Sequence, residues 1–213
     1  MPKREHIESD QYLAWLKSLG CILWLPFASA GDFKDRISGN SLTLTGLGEY
    51  SFDTGLDMMR IKLPKQSNQN FATFSTGWTS STFPNNSHTT LATAKRITTA
   101  NGTYWIAFKV GNNVPAINPF IYNGTSNFSS FDDNINKYAY SLSSSGRGSY
   151  FNGTLNGTFA AHSPYLPSNW GGYNIKISPY DTYGQYVEFY IRDYMIFNKV
   201  LSLSEIRQIQ GYE

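Results

Sequence analysis

Cysteine is almost missing from this chain of 213 residues: Cys21 is the single one. That excludes an internal disulfide and any thiolate metal cluster. Cys21 lies among Ile22, Leu23, Trp24 and Leu25, so it reads as a buried structural thiol. Charge is scarce as well. Asp, Glu, Lys and Arg make up 15%, the formal net charge is +2, and no basic run extends beyond Lys3-Arg4. This argues against nucleic acid as the main partner. No apolar run approaches the roughly 20 residues of a spanning helix, so membrane insertion is not expected. No apolar segment of the secretory kind follows Met1-Pro2-Lys3-Arg4-Glu5-His6. The expectation is a protein made in a cytoplasm that reaches the outside by assembling into a particle, or one whose export signal was removed.

Catalytic spacings are missing too. A retaining glycosidase needs two carboxyl groups about 5 Å apart. Residues two apart on a strand share a face, but the only acids so spaced are Glu8 and Asp10, at a predicted helix. Asp132 and Asp133 are adjacent, and Glu188 and Asp193 have opposite parity along a strand. There is no Gly-x-Ser-x-Gly elbow and no histidine pair at zinc spacing. His88, in the polar stretch from Ser80 to Thr90, reads as a solvated loop residue. The expectation is a protein that is not an enzyme. A glycoside hydrolase or lyase drawing carboxylates from distant strands is the alternative.

Aromatic residues, at 16%, and turn formers are what the chain has in quantity. That composition suits an all-β protein. Ser9 to Leu19 predicts a helix capped by Ser9 and ended by Gly20, with Tyr12, Trp15, Leu16 and Leu19 on one apolar face. Two readings of that face stand: packing on its own sandwich, or docking to other structural subunits. Residues 1–19 are accordingly read as an N-terminal helical arm and 20–213 as one β domain. Strands are predicted at Ile22–Phe27, Leu42–Thr45, Met58–Leu63, Phe71–Trp78, Thr103–Val110, Lys137–Leu142 and Gly148–Phe151. Asn-Gly pairs at Asn101, Asn123, Asn152 and Asn156 predict tight turns. Turn chemistry also accounts for the Asn-x-Ser/Thr matches better than glycosylation does.

The closing stretch carries the plainest pattern. Tyr186 to Phe197 is a strand apolar on both parities, with Val187, Phe189, Ile191, Met195 and Phe197 expected on one face and Tyr190, Tyr194 and Ile196 on the other. Ser202 and Glu205 then form a capping box, and Gly211 supplies a stop. Ile191-Arg192-Asp193-Tyr194-Met195-Ile196-Phe197-Asn198 followed by Leu201-Ser202-Leu203-Ser204-Glu205-Ile206 resembles the ending of laminin-G-like and concanavalin A-like domains. The loop Asp32–Asn40, the Phe71–Trp78 stretch and Tyr150-Phe151-Asn152-Gly153 resemble other parts of those domains. The resemblance implies a two-sheet antiparallel jelly-roll sandwich, here with a short N-terminal and a short C-terminal helix, in which the Trp24 and Tyr194 segments are neighbours. It leaves function open, because this fold hosts lectins, hydrolases and adhesion modules.

Many relatives in that family hold a structural calcium between the first loop and the last strand. In their register the calcium carboxylate falls at Arg192, which cannot coordinate the ion. No cofactor is therefore expected, and Arg192 is expected to pair with Asp35 or Asp32, unless it lies exposed. Asp193 restores a metal site if a bulge shifts the register. Ligand contacts are expected from Asn169, Trp170, Tyr173, Tyr180, Asp181 and Tyr183, aromatic faces flanked by hydrogen-bonding groups as saccharide sites use. The alternative is that these aromatics close the sandwich. The combined expectation is a recognition or assembly module for a glycan or cell-surface receptor. Its settings are a phage virion, as a fibre or decoration protein, or a bacterial cell surface.

Overall fold

The computed structural model describes residues 9–45, 49–63, 73–79, 87–99, 108–111, 134–143, 146–160, 174–179 and 187–212. In chain order the elements are α1 (Asp10–Ser18), β1 (Cys21–Leu25), β2 (Leu44–Thr45), β3 (Glu49–Asp53), β4 (Met58–Leu63), β5 (Thr73–Thr79), β6 (Ser87–Thr99), β7 (Phe108–Gly111), β8 (Asn136–Ser143), β9 (Gly146–Phe151), β10 (Thr154–Ala160), β11 (Asn174–Pro179), β12 (Val187–Phe197) and α2 (Leu203–Gln210). The strands form two antiparallel sheets. The larger runs β10-β9-β8-β6-β12-β4-β3 with β1 also on β12, and the smaller runs β2-β5-β11-β7. This is the expected all-β jelly-roll sandwich with two short helices.

Strand β12 organises the larger sheet. One edge bonds β6, while the other is shared: Val187–Ile191 pair with β4 and Tyr194–Phe197 with β1. Trp24 lies opposite Met195 and Leu25 opposite Tyr194, so the two apolar stretches are neighbours as expected. Leu23, Trp24, Leu25, Phe189, Ile191 and residues 194–197 are all buried. Cover on both faces of the C-terminal half of β12 explains the unbroken hydrophobic run from Tyr194 to Phe197.

The expected face assignment needs one correction. Asp193 has φ +56, and the register slips there: Arg192 faces Thr93, but Met195 faces Leu91. The extra residue makes a β-bulge, which reverses the parity beyond it. Ile191 lies opposite Ala94 and Met195 opposite Leu91, positions on opposite faces of β6. Met195 and Phe197 therefore leave the face of Phe189 and Ile191. They join Leu16, Cys21, Trp24, Leu91, Ala139, Leu201 and Ile206 in a cluster beneath the two helices.

Helix α1 starts as its sequence predicts, with Ser9 Oγ accepting from the Tyr12 N–H at 3.2 Å. Its Leu16 is fully buried, and Tyr12, Leu13, Trp15 and Leu19 pack half-buried against the same cluster. The apolar face thus serves the chain's own sandwich. Gly20 turns the chain into β1 at φ +83, and its carbonyl accepts from the Asn198 N–H at 2.9 Å. That φ lies in the left-handed region, which favours glycine, and a Cβ there would also have to push the Asn198 side chain aside. Cys21 is buried, as expected, with its thiol pushed well above the usual range by burial.

Helix α2 carries the complete capping box: Ser202 Oγ accepts from Glu205 N–H at 3.2 Å, and Glu205 Oε2 accepts from Ser202 N–H at 2.7 Å. Gly211 closes the helix at φ +69. Lys199 Nζ lies 2.7 Å from Glu205 Oε1, and this bond is the main cause holding the Glu205 carboxyl below its ordinary pKa. A depressed carboxyl pKa stabilises the fold above the unfolded-state value and loses that contribution as pH falls through the folded value. Glu205→Gln should therefore cost up to about 1 kcal/mol at neutral pH and almost nothing at about pH 3. Urea denaturation of both proteins at the two pH values measures this; an equal loss at both refutes it.

Two turn expectations change. Ser87–Thr90 is not a loop but the start of β6, and His88 is buried opposite Leu142. The strand runs centrally between β8 and β12, which buries its short Thr and Ala side chains. Asn156-Gly157 is not a turn but sits inside β10, at a register slip between Leu155 and Gly157. Asn152-Gly153 is the expected hairpin turn, with φ +48 and +73. Asn101-Gly102 and Asn123-Gly124 lie outside the described residues.

Candidate functional site

The opening loop, residues 26–43, is bound to the sandwich by one carboxylate. Asp35, 3% exposed, accepts the backbone N–H groups of Trp24 at 2.9 Å, Ile37 at 2.9 Å and Ser38 at 3.1 Å, and the Ser38 hydroxyl at 2.5 Å. The Arg36 N–H in turn donates to the Trp24 carbonyl at 2.9 Å. Asp32 closes the outer side of the loop. Arg36 meets it as a two-pronged fork, Nη1 at 3.2 Å and Nη2 at 2.8 Å, and the N–H groups of Ala28 and Lys34 add to it. Aromatic edges fix the middle: Phe33 stands T-shaped to buried Phe27 at 6.4 Å and to Tyr50 at 5.3 Å.

The expected Arg192–Asp35 pair is corrected by these contacts. Arg192 Nη1 lies 3.3 Å from Asp57 Oδ2, and Nε lies 3.2 Å from Asp193 Oδ2. Arg192 just precedes the bulge, and its side chain turns towards Asp57 at the β3–β4 connection. The acceptor positions of Asp35 are meanwhile filled by amides of its own loop. Arg192 is mostly buried and charge-paired, as expected, but with other acids.

The bulge that was to restore a metal site at Asp193 exists. Its carboxylate, however, accepts the Trp24 indole N–H at 3.3 Å and faces Arg192. Calcium asks for roughly six to eight oxygen ligands. An adjoining guanidinium does not fit that, and no group of three or more His, Cys, Asp or Glu converges among the described residues. Burial, followed by the field of Asp193, pushes the Tyr12 phenol well above its usual range.

A second polar surface runs along the N-terminal half of β12. Glu188 and Tyr190 share a face with Arg60 and Lys62 of β4 and with Glu49 and Asp53 of β3. Glu188 is buried against Arg60, Lys62 Nζ lies 2.8 Å from Glu49 Oε2, and Asp53 hydrogen-bonds Tyr190. Each of these acids has a cationic or phenolic partner.

Asn169, Trp170, Tyr173, Tyr180, Asp181 and Tyr183, the expected ligand contacts, lie outside the described residues. A different concavity stands among the described ones. Between α1 and the opening loop lies a cleft of about 590 Å³ lined by Leu13, Trp24, Ala28, Ser29, Asp32, Lys34 and Arg36. The sequence offers a signal for it, the polar run Asp32–Asn40, which reads as a family-like loop and a source of acids rather than as a cleft wall.

No protein-family model matches the chain, and no curated protein matches it in sequence. Solved structures match its fold. The binding domain of botulinum neurotoxin DC, solved in complex with rat synaptotagmin II, gives a TM-score of 0.62 at 15% identity over 91% of this chain and 52% of that one. A structure of botulinum neurotoxin type C, a toxin whose cell entry depends on interaction with two ganglioside molecules, gives 0.59 at 14% over 94% and 53%. A mutant Trypanosoma rangeli sialidase displaying trans-sialidase activity gives 0.56 at 13% over 88% and 32%. The chain spans about half the length of the toxin structures. At these identities the likeness is one of fold.

Proposed function

We propose that this chain is a non-catalytic recognition module, of the laminin-G-like or concanavalin A-like kind, for a glycan or a glycan-bearing receptor. The observation that carries the reading is the engagement of the acids along β12 and the opening loop. Asp32, Asp35, Asp57, Glu188 and Asp193 all accept from backbone amides, arginines or an indole. A retaining glycosidase needs one carboxyl to give a proton and another free to attack, whereas these carboxylates are engaged by donors of the chain itself. A toxin whose cell entry depends on interaction with two ganglioside molecules shares this fold over about half of its solved chain, which supports the reading.

An immobilised array of neutral, carboxylated and sulfated glycans tests it. Retention on a defined subset is expected, with no release of reducing ends from the matching polysaccharides. Reducing-end release without retention would replace the module by a hydrolase. The proposed setting is the surface of a virion, as a fibre or decoration subunit, or of a bacterial cell. Repeated copies there would raise the avidity of a weak site. Peptides of the chain in purified particles, against their presence in washed cell envelopes, discriminate the two.

A further inference from the structure

The cleft between α1 and the opening loop holds one cation that its own acids do not match. Asp32 and Arg36 neutralise each other across their two-pronged contact. Asp35 turns its carboxylate inward onto the amides of Trp24, Ile37 and Ser38. Of the two cations lining the cleft, that leaves Lys34, exposed at its wall, with no side-chain partner among the described residues. Beside it, the exposed Ser29 side chain is likewise unengaged by the described residues. Leu13 and Ala28, both partly exposed and backed by buried Trp24, supply an apolar wall.

We infer that this cleft is a subsite for a saccharide unit bearing an anionic group. The inference rests on the glycan-binding reading above and names the class of sugar. At about 590 Å³ the cleft falls in the range of small-ligand sites. The apolar wall suits the C–H face of a sugar ring, Ser29 can exchange hydrogen bonds with a ring hydroxyl, and Lys34 meets the anion. Lys34 decides the class, because an ammonium already matched to an acid would gain nothing from an anionic ligand, whereas this one does. The site is also built before binding. Asp35, Asp32 and the Phe27–Phe33–Tyr50 edges hold the loop that carries Ser29 and Lys34, so little ordering remains to be done when a ligand enters.

The test titrates wild type, Lys34→Gln and Ser29→Ala with three size-matched oligosaccharides: one uronate-bearing, one sulfated and one neutral. Lys34 is exposed, so Lys34→Gln should leave the melting temperature unchanged. Wild type should prefer an acidic oligosaccharide to the neutral one by about tenfold, and Lys34→Gln should abolish that preference while keeping the neutral affinity. Preference for either acid supports the subsite and identifies its anion. Raising the salt should shrink the preference in wild type only. Binding without acid preference, or a preference that survives Lys34→Gln, overturns the subsite and leaves the glycan reading standing. Failure to bind any of the three, or any glycan of the wider array, overturns both.

Discussion

Replacing Asp35 by alanine should cost about 4 kcal/mol of unfolding free energy, an effect out of proportion to one exposed-looking loop acid in the sequence. The substitution strands three backbone N–H groups and one hydroxyl that now converge on a buried carboxylate. Each orphaned buried donor costs about 1–3 kcal/mol. Ile37 and Ser38 are partly or largely exposed, so water relieves their share, and the Trp24 N–H bears most of the loss. Asp35→Asn keeps one acceptor oxygen and should cost roughly half as much. Urea denaturation followed by tryptophan fluorescence measures both. A loss below about 1 kcal/mol for the alanine variant would mean that the loop is held by something else. The alanine variant should also lose saccharide binding, because the loop that walls the cleft would no longer be fixed to β1.

Trp24→Ala should be as damaging, at about 4 kcal/mol. The ring is fully buried, meets Tyr12 edge-on at 5.5 Å, and lies in the cluster shared by the sandwich and both helices. The cavity left behind would border α1, so the amides of α1 should exchange much faster in deuterium even where β8 and β9 stay protected. Trp24→Phe separates volume from hydrogen bonding. It keeps an aromatic ring and removes the indole donor of Asp193, which retains Arg192, so the cost should be about 1–2 kcal/mol. Equal losses for the two substitutions would show that the Asp193 contact, not packing, is what matters at this position.

How far the sequence foretold this molecule depended on which signals are local. The helix caps are local, since Ser9, Ser202 and Glu205 act within three residues, and all three perform as their spacing implies. The pairing of β1 with β12 was legible only through the resemblance of the two ends to laminin-G-like and concanavalin A-like domains, while the apolar parities of β12 pointed to its central position. Strand β6 is absent from the sequence-based expectations, and its start reads as a loop because Ser87-His88-Thr89-Thr90 has no large apolar residue. It is buried by its place between two other strands, a property its own composition does not carry. The bulge at Asp193 defeated the alternation rule for a similar reason: a single residue in left-handed conformation moves every later side chain to the other face. Arg192 was expected to be buried and paired, and it is, but its partner is fixed by the β3–β4 connection, and β3 did not stand out in the sequence. The cleft was legible only in part. Asp32 and Asp35 were noted, while Leu13 comes from a helix whose position over the loop is a tertiary fact.

The sharing of one β12 edge between β4 and β1 also bears on how the chain reaches its native state. Cys21 and Phe197 are registered neighbours although 176 positions separate them in the chain. Closing so long a connection is entropically slow, and β1 has no β12 to bond until the chain through Phe197 has left the ribosome. Nascent chains cut short before Val187 would keep Leu23, Trp24 and Leu25 unsheltered and prone to sticking. Co-translational assembly should thus be all-or-none and late, and truncation libraries should yield soluble product only when both strands are present.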